Sequence, residues 1–368
     1  MKRFIDIHVP VTRCNLQCHY CYVPQTNMRN IKETPMHYSP QHIGKSLSVD
    51  RMGGICHVNM CGLGETLIPN NIVEIVKEIL KQGHYVMIVT NGTLTKRFQE
   101  FTKLPMDYKK RLGFKFSFHY LELKRLGILE KFFENIQLIR DNGMSFSLEM
   151  TPCDELEPYI DEIKSICYKY VGALCHLTIP RNMGEENIVL LSKHDFNTFY
   201  SIWKTFDSEM FEYKANLWEE KRDEFCYAGA WSGLLNIGNG VLRQCYGSCA
   251  SQNIMKDLSK AINFVPMGNC CDMPHCYNSH SLLGLGCIPD LKGNYALERD
   301  RVDTRDNSHW LTKEMYNFLA YGLDLENKEY TVKEQKKINK RNKMYQKIGE
   351  WKRKIKKIIK VNKAWKVS

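Results

Sequence analysis

The sequence contains no apolar run long enough to cross a membrane and no secretory signal. A spanning helix needs roughly 18 or more consecutive apolar residues, and the 368-residue sequence has no such run. The N-terminal stretch MKRFIDIHVPVTRC also lacks the long apolar segment and small-residue cleavage site of a signal peptide. Because 43% of the residues are hydrophobic, a sizeable core is expected. These features exclude the secreted and membrane-spanning classes and predict a cytoplasmic protein.

Excess positive charge is absent from most of the chain. The net charge is +11 overall, but residues 331–368 contain 15 Lys and Arg against two Glu, a net of +13. The rest of the chain therefore carries a net charge of −2. The basic character belongs to a tail, so it gives no argument that the body binds nucleic acid, and we expect no DNA partner.

The chain also has no internal repeat with a period of about 20–50 residues. Its first two hundred residues instead alternate helix-like runs with six strand-like runs. These runs are FIDIHVPV, ICHVNMCG, HYVMIVTNG, FKFSFHY, SFSLEM and ALCHLTI. The alternation predicts an α/β fold in which right-handed crossovers connect a parallel sheet, open or closed as a barrel.

The pattern changes at about position 211, where the strand–helix alternation stops. Cys and Gly become frequent between Cys226 and Cys287. We therefore expect a barrel domain over residues 1–210 and a smaller Cys-rich domain over residues 211–290. A polar connection and a basic helical tail would follow over residues 291–368.

The 15 cysteines are not expected to form structural disulfides in a reducing cytoplasm, so metal binding or catalysis is the better interpretation. Three of them fall within eight residues of CNLQCHYCYVP, at Cys14, Cys18 and Cys21. Three thiolates satisfy three irons of a 4Fe–4S cluster and leave the fourth iron open for another ligand. The alternative is a zinc site completed by His19 or by a distant residue.

Three polar or glycine-containing segments each follow directly after a predicted strand. The cysteine loop comes after the first strand, GLGET after the second and NGT after the third. In α/β folds the carboxyl ends of parallel strands carry the chemistry. We therefore expect these three segments to meet in one site.

The arrangement C-x-x-x-C-x-Tyr-Cys after a first strand resembles the signature of the radical S-adenosylmethionine (SAM) enzymes. The resemblance covers roughly residues 4–205 and implies a partial (β/α)6 TIM-like barrel. It implies a 4Fe–4S cluster whose open iron binds the amino and carboxylate groups of SAM, reduced by a donor such as flavodoxin or ferredoxin. In this family SAM is cleaved to a 5′-deoxyadenosyl radical, which abstracts hydrogen from an unactivated C–H bond.

The resemblance also implies further SAM-binding residues. The segment CGLGETL is similar to the Gly-Gly-Glu segment of the family, which holds the SAM amino group. Arg181 has the chemistry to pair with the SAM carboxylate, although a surface arginine is the alternative. The residues that the resemblance assigns to SAM are Tyr20, Gly62, Gly64, Glu65, Asn91, Ser117 and Arg181.

The second cysteine group begins with CYAGAWSGLLNIGNGVLRQC, which resembles the SPASM and twitch auxiliary-cluster domains. A hairpin with Asn239-Gly240 as its turn would lie between the first two cysteines. The C-x-x-C-x5-C-x3-C run of a full SPASM domain is missing, so we expect a twitch-like domain with one auxiliary 4Fe–4S cluster. The expected ligands are Cys226, Cys245, Cys271 and Cys276; Cys249, Cys270 and Cys287 are the spare cysteines, and zinc is the alternative metal.

The sequence does not decide between several reaction outcomes and substrates. Net oxidation through the auxiliary cluster and epimerisation with Cys153 as the hydrogen donor are both compatible with the sequence. We expect a sugar or surface-glycan precursor as substrate. The cluster loop begins at position 14, which leaves little room for a leader-binding domain and lowers the expectation of a peptide-modifying maturase. An RNA-modifying radical enzyme and a non-catalytic iron–sulfur or zinc scaffold are also compatible with the sequence.

The tail has apolar residues on one predicted helical face and Lys or Arg on the other. This pattern is typical of helices that lie on an anionic membrane surface, so peripheral contact through residues 331–368 is one prediction. Packing of the apolar stripe on the protein body and binding of RNA are the alternatives. The apolar residues are Ile348, Trp351, Ile355, Ile358 and Trp365.

Overall fold

The structure is a computed structural model that describes residues 2–30, 33, 35–247 and 250–364. Side chains are described as far as position 348, except at position 30. Two residues singled out in the sequence, Cys249 and Trp365, lie outside these ranges. The side chains of Trp351, Ile355 and Ile358 lie outside them as well.

Within the described residues, nine strands form a single sheet. They are β1 (Arg3–Val9), β2 (Cys56–Gly62), β3 (Tyr85–Thr90), β4 (Leu112–Ser117), β5 (Ser145–Met150), β6 (His176–Leu177), β7 (Ser232–Asn236), β8 (Val241–Arg243) and β9 (Ser251–Asn253).

Helices connect and cover these strands. They are α1 (Tyr22–Gln25), α2 (Pro40–Ser46), α3 (Val49–Met52), α4 (Ile72–Lys81), α5 (Thr95–Phe101), α6 (Met106–Lys109), α7 (Tyr120–Leu126), α8 (Leu129–Asp141), α9 (Ile160–Val171), α10 (Phe196–Trp203), α11 (Glu209–Ala215), α12 (Ser279–Leu282), α13 (Lys313–Ala320) and α14 (Val332–Ala364).

The sheet order is β6-β5-β4-β3-β2-β1-β7-β8-β9. Strands β1 to β6 pair in parallel with their neighbours in chain order, as right-handed crossovers require. Strand β7 pairs in parallel with the other side of β1, and β8 and β9 continue the sheet in antiparallel fashion. This topology confirms the predicted α/β fold with a parallel sheet in a partial TIM-like barrel, and it adds a hairpin to the same sheet.

The two faces of the sheet differ in polarity. In β4, Phe114 and Phe116 pack in the main core against the helices, whereas Lys115 and Ser117 line a cavity on the opposite, inner face. This alternation follows from the period of two in a strand. The other strands place the polar side chains of Asp6, Asn59 and Glu149 along the same cavity. The barrel interior is therefore polar and suited to a polar ligand.

Two predicted strands are shorter in the structure. The fourth was expected to run through Tyr120, but β4 ends at Ser117 and Tyr120 begins α7. The sixth was expected to cover ALCHLTI, but β6 contains only His176–Leu177. Pro180 follows closely and has no amide hydrogen to donate to a ladder.

The predicted hairpin forms between β7 and β8, but its loop is longer than two residues. Residues 237–240 connect the strands, and Gly240 has a φ of +75°. The Asn236 side chain accepts hydrogen bonds from the Gly238 and Asn239 amides. Asn239 and Gly240 thus lie in a wider loop that the Asn236 side chain stabilises.

The segment expected to be a polar connection packs against the barrel. The Trp310 indole N–H donates to the Val171 carbonyl, and the Trp310 carbonyl accepts from the Phe146 amide at 3.0 Å. Because β6 pairs only with Glu149 and Met150, the first half of β5 would otherwise have a free edge. The segment covers that edge. Covering prevents the unpaired strand from pairing with another chain.

Asp303 anchors this segment. Its fully buried carboxylate accepts hydrogen bonds from Arg140 at 2.7 Å and from Arg305 at 2.6 Å. The two guanidinium groups, chiefly that of Arg305, hold the pKa of Asp303 well below its usual range.

Asp303→Asn is expected to lower the free energy of unfolding at pH 7 by about 3 kcal/mol, because it removes a buried carboxylate that accepts charge-assisted hydrogen bonds from Arg140 and Arg305. A carboxylate with a lowered folded-state pKa stabilises the fold above its unfolded pKa of about 4 and loses this effect as the pH falls below it. The difference between variant and wild type should therefore shrink in acid. Urea unfolding at several pH values measures it.

The matched control is Asp306→Asn. Asp306 pairs with the same Arg140, but its side chain is 56% exposed. Such surface pairs contribute at most about 1 kcal/mol. Equal losses in the two variants would contradict the role assigned to Asp303.

The first part of the tail helix packs on the Cys-rich region. The Asn342 amide donates to the Pro266 and Met267 carbonyls, and Gln346 donates to the Cys270 carbonyl. Residues 339–346 therefore belong to the folded body, and a truncation that tests the membrane prediction should begin at position 349. In the part of the chain that the structure describes, no helix is long and apolar enough to cross a membrane.

Candidate functional site

A cavity of about 310 Å³ opens at the carboxyl ends of β1 to β5, and Cys14, Cys18 and Cys21 line it. The Cys21 amide donates to the Cys18 carbonyl at 3.2 Å, and α1 begins directly after Cys21. Burial raises the pKa of the Cys14 thiol. It also raises the pKa of the Cys18 thiol, to about 12. Metal binding would therefore release protons. Three thiolates facing one cavity fit a 4Fe–4S cluster with an open iron.

Other parts of the barrel hold the cysteine loop in place. The Glu33 carboxylate accepts hydrogen bonds from the Thr12 and Arg13 amides. Further along the loop, the Gln17 amide donates to Glu122 of α7 at 2.7 Å. The loop is thus bonded on both sides of Cys14.

The glycines of the GLGET segment contact the cysteine loop. The Gly64 amide donates to the Val11 carbonyl at 2.8 Å, and the Glu65 amide donates to the Arg13 carbonyl at 2.9 Å. A Cβ at Gly62 would lie 2.5 Å from Val11 Cγ1, and one at Gly64 would overlap the Arg13 carbonyl oxygen. Both glycines line the cavity, but their missing side chains make room for the loop as well as for a ligand.

The Glu65 carboxylate joins the ends of β2 and β3. It accepts hydrogen bonds from the Leu67 amide, the Thr90 hydroxyl and the Asn91 amide at 2.7–3.0 Å. Burial raises its pKa, while these donors act in the opposite direction. Because a carboxylate has about four acceptor sites, three are used within the protein. Glu65 lines the cavity with capacity for about one further donor.

Asn91 and Ser117 lie at the ends of β3 and β4 and line the cavity. The side-chain Nδ2 of Asn91 donates to Asn15 Oδ1 at 2.8 Å and to Cys14 Sγ at 3.7 Å. The NGT turn and the cysteine loop therefore touch, as expected from the meeting of parallel strand ends.

Tyr20 is buried at the cavity wall and shares a 2.7 Å hydrogen bond with His119 Nδ1. Burial lowers the pKa of His119 to about 4, so its ring is neutral at pH 7. The phenol side chain therefore connects the cysteine loop to the turn after β4.

Cys153 is not among the described residues that line the cavity. Its Sγ lies within 4.8 Å of a ring nitrogen of His19 and a carboxylate oxygen of Glu155. Both of these partners are exposed and share a 2.9 Å hydrogen bond. The role of Cys153 as a hydrogen donor therefore stays a prediction, and it requires the thiol to reach a substrate in the cavity. His19, the alternative fourth metal ligand, is paired with Glu155 instead.

Arg181 lies beyond β6 and also lines the cavity. Its guanidinium lies 4.9 Å from the Tyr22 ring centroid and 4.6 Å from that of Tyr277. It donates to Asn278 Oδ1 at 3.1 Å. Two aromatic rings hold the guanidinium at the cavity edge, where it can meet an anionic ligand.

Several polar residues of the cavity were not predicted from the sequence. Lys115, Glu149 and Lys214 line it together with Asp6 and Cys61. The signal was present in the strands, since FKFS and FSLE place one polar residue on every second position. Lys214 belongs to α11, and no strand pattern could have revealed it.

A second cavity of about 50 Å³ collects the four cysteines expected to hold an auxiliary cluster: Cys226, Cys245, Cys271 and Cys276. Burial raises the pKa of each thiol, that of Cys245 to about 12. Four thiols around a small space suit a cluster or zinc.

The spare cysteines do not line the second cavity in the part of the chain that the structure describes. The Cys270 thiol donates to the Asn339 carbonyl, and the Cys287 thiol donates to Ser232 Oγ at 3.6 Å. Cys249 lies outside the described residues.

The two cavities share a wall. Tyr246 and Asn278 line both of them. The Tyr246 hydroxyl donates to Asp6 of β1 at 2.5 Å, and its ring centroid lies 5.5 Å from that of Tyr277. Because Tyr246 directly follows Cys245, this side chain connects the four-cysteine cavity to the barrel interior.

Residues 9–163 match the profile of the Radical SAM superfamily. The matched segment contains the cysteine loop, the GLGET segment, and the ends of β3 and β4. No curated protein matches the sequence.

Comparison with solved structures shows a similar fold in one of them. The chain is similar to Streptococcus suis SuiB bound to S-adenosylmethionine, with a TM-score of 0.51 and 14% identity, over 70% of this chain and 64% of SuiB. It is also similar to anSMEcpe with bound AdoMet and Cp18Cys peptide, with a TM-score of 0.44 and 13% identity, over 86% of this chain and 94% of anSMEcpe. The chain thus spans less than two thirds of SuiB, and the likeness concerns the fold.

The profile match covers the barrel but not the Cys-rich region, where an auxiliary-cluster domain stays a prediction. In the barrel, the matched family, the fold and the three thiols at the strand ends agree. Residues 9–163 are therefore similar in sequence to the Radical SAM superfamily, and the fold is similar to that of a solved structure bound to S-adenosylmethionine.

Proposed function

We propose that this protein is a radical SAM oxidoreductase that oxidises an unactivated C–H position of a substrate bound in the barrel cavity. Cys14, Cys18 and Cys21 would hold the cluster that binds SAM. When bound and reduced by a flavodoxin or ferredoxin, these cofactors supply a 5′-deoxyadenosyl radical that abstracts a hydrogen atom. The observation that carries this proposal is one cavity that extends from the three thiols to the wall of the four-cysteine site.

The residues at the cavity rim would orient SAM. Glu65 has capacity for about one more donor, which suits the SAM amino group, and it also fixes the Asn91 backbone. Asn91, Ser117 and Arg181 offer amide, hydroxyl and guanidinium groups for the ribose and the carboxylate. Tyr20 would act as a positioning residue through its hydrogen bond to His119.

An oxidation needs a place for the second electron and for a proton. Cys226, Cys245, Cys271 and Cys276 would hold a 4Fe–4S cluster, which supplies an electron acceptor beside the cavity. Lys214 is suited to accept the proton, because burial and the charges of Arg181 and Arg299 lower its pKa well below the usual range. Its Nζ lies 2.6 Å from Thr178 Oγ1 within the cavity.

The polar inner face favours a hydroxyl-rich substrate. Asp6, Asn59, Ser117 and Glu149 line the cavity, and hydrogen-bonding groups of this kind recognise sugar hydroxyls. We therefore propose a sugar or surface-glycan precursor. A peptide is the second substrate candidate, and peripheral membrane contact would depend on residues beyond position 348.

Epimerisation is the second candidate reaction. It would need a thiol that returns hydrogen to the substrate, and the Cys61 thiol lines the cavity at the end of β2. Deuterium from D2O should appear in the product of an epimerase, whereas an oxidised product would be lighter by two hydrogens.

The test is anaerobic reconstitution followed by iron analysis and incubation with SAM and dithionite. Wild-type protein should contain about eight irons, four in each cluster, and should form 5′-deoxyadenosine. A variant with alanine at Cys226, Cys245, Cys271 and Cys276 should retain about four irons and still cleave SAM. A matched control is Cys287→Ala, which should keep about eight irons.

Two results would contradict the proposal. Absence of 5′-deoxyadenosine from iron-loaded wild-type protein would indicate a non-catalytic scaffold. About four irons and one zinc in the wild type would remove the auxiliary cluster and leave the oxidation without its electron acceptor.

A further inference from the structure

Lys115 is a buried lysine without a counterion. Only 4% of the residue is exposed, and it lines the barrel cavity from the middle of β4. Among the residues that the structure describes, no carboxylate or hydrogen-bond acceptor contacts its ammonium group. Removing an ammonium group from water costs several kcal/mol unless an opposite charge and hydrogen bonds compensate. Lys115 therefore presents an ammonium group without an ion-pair partner to the cavity.

Other cations surround the same part of the cavity. Burial lowers the pKa of His280, and the charges of Lys214, Arg299, Lys115 and Arg181 act in the same direction. Lys214 donates to Thr178 and keeps further N–H donors. The side chains of Lys115, Lys214, Arg181 and His280 all line the cavity.

The nearby carboxylates contact groups other than Lys115. Glu149 lies 3.6 Å from the fully buried Arg299 guanidinium. Burial raises the pKa of Glu298 to about 8, so this group is largely neutral at pH 7. Asp6 already accepts hydrogen bonds from Asn59 and Tyr246. Glu65 is bonded to Leu67, Thr90 and Asn91 at the rim. Among the described residues, none of these carboxylates forms an ion pair with Lys115.

The position of Lys115 separates it from the SAM-facing rim. It lies two residues before Ser117 on the same face of β4, roughly 6.6 Å deeper in the barrel at about 3.3 Å per residue. In the sheet register Lys115 is level with Val89 and Ser147, whereas Ser117 is level with Glu149. An anion at Lys115 would therefore lie below the residues proposed to orient SAM.

We propose that Lys115 binds an anionic group of the substrate, a phosphate or a carboxylate, inside the barrel. This inference rests on the proposed function for placing the substrate in this cavity, and it narrows the substrate to an anionic molecule such as a phosphorylated sugar. The ammonium group of Lys115 supplies charge-assisted donors, and the polar side chains of Asn59 and Ser117 line the same cavity for neutral groups of the same molecule.

The experiment measures binding of inorganic phosphate to the reconstituted holoenzyme by thermal shift and calorimetry, with and without saturating SAM. Phosphate should raise the melting temperature in both conditions. Lys115→Gln should weaken phosphate binding by about tenfold or more, because a charged hydrogen-bond partner is lost. The matched control is Lys109→Gln, since Lys109 is also buried, at 8% exposure, but its Nζ donates to the Thr102 carbonyl outside the cavity.

The outcomes separate the sources of the anion. If SAM abolishes phosphate binding, the site belongs to the SAM carboxylate and the proposal is wrong. Without phosphate, Lys115→Gln should melt no lower than wild type, because an uncompensated charge is removed; a clear drop would reveal an internal partner and overturn the proposal. Equal phosphate affinity in Lys115→Gln and wild type would also overturn it. Formation of 5′-deoxyadenosine by wild-type protein tests the proposed function separately.

Discussion

The triple variant Cys14→Ala, Cys18→Ala, Cys21→Ala is expected to form no detectable 5′-deoxyadenosine and to retain about four irons per chain. The three thiols line the mouth of the barrel cavity, and removing all of them leaves the SAM-binding cluster without protein ligands. Product analysis under dithionite and iron analysis after anaerobic reconstitution measure the two effects.

The control for this variant is Cys167→Ala. Cys167 is a buried residue of α9 and does not line either cavity of the described structure. It should retain about eight irons and the wild-type rate of SAM cleavage. Retention of about eight irons by the triple variant would show that the loop does not hold a cluster. A triple variant that still cleaves SAM would overturn the assignment of the catalytic site.

Gly64→Ala is expected to reduce SAM cleavage by about 100-fold, although it changes no metal ligand. A methyl group at this position would overlap the Arg13 carbonyl oxygen. That carbonyl directly precedes Cys14 and accepts the Glu65 amide, so the overlap should push the cysteine loop away from β2. Misplacement by about 1 Å can lower a rate about 100-fold. The rate of 5′-deoxyadenosine formation and the iron content of the first cluster measure the effect.

Gly184→Ala is the matched control for this substitution. The nearest atom to a Cβ at Gly184 is Asn182 Oδ1 at 3.2 Å, the flexible end of a side chain. We expect wild-type iron content and cleavage from this variant. If Gly64→Ala behaved in the same way, the close contact between the glycine segment and the loop would have no role in holding the cluster.

The sequence predicted the fold to the extent that local patterns reflect it. The runs HYVMIVTNG and SFSLEM predicted β3 and β5 closely, because buried parallel strands are apolar and end at turn residues. The edge strand β6 was predicted too long. An edge strand depends on one neighbour, and the packed segment around Trp310 takes over the rest of the β5 edge. That contact joins residues more than a hundred positions apart, so no local pattern contains it.

The cysteine spacing and the strand order together predicted that the three loop thiols meet the GLGET and NGT segments at one end of the sheet. Likewise, Cys226 and Cys245 flank the predicted hairpin, and the structure collects them with Cys271 and Cys276, the other two expected ligands, around one cavity. Whether they bind iron remains a prediction.

By itself, the sequence determined the α/β class, the loop with three thiols and the basic tail, because each depends on residue type at short, regular spacing. It could not show that Glu65 is largely bonded within the protein, that Cys153 lies outside the cavity, or that Lys115 lies inside it without a counterion. Those properties depend on which side of a strand end a side chain faces and on partners from distant segments. Burial and long-range hydrogen bonds arise only when the chain is folded.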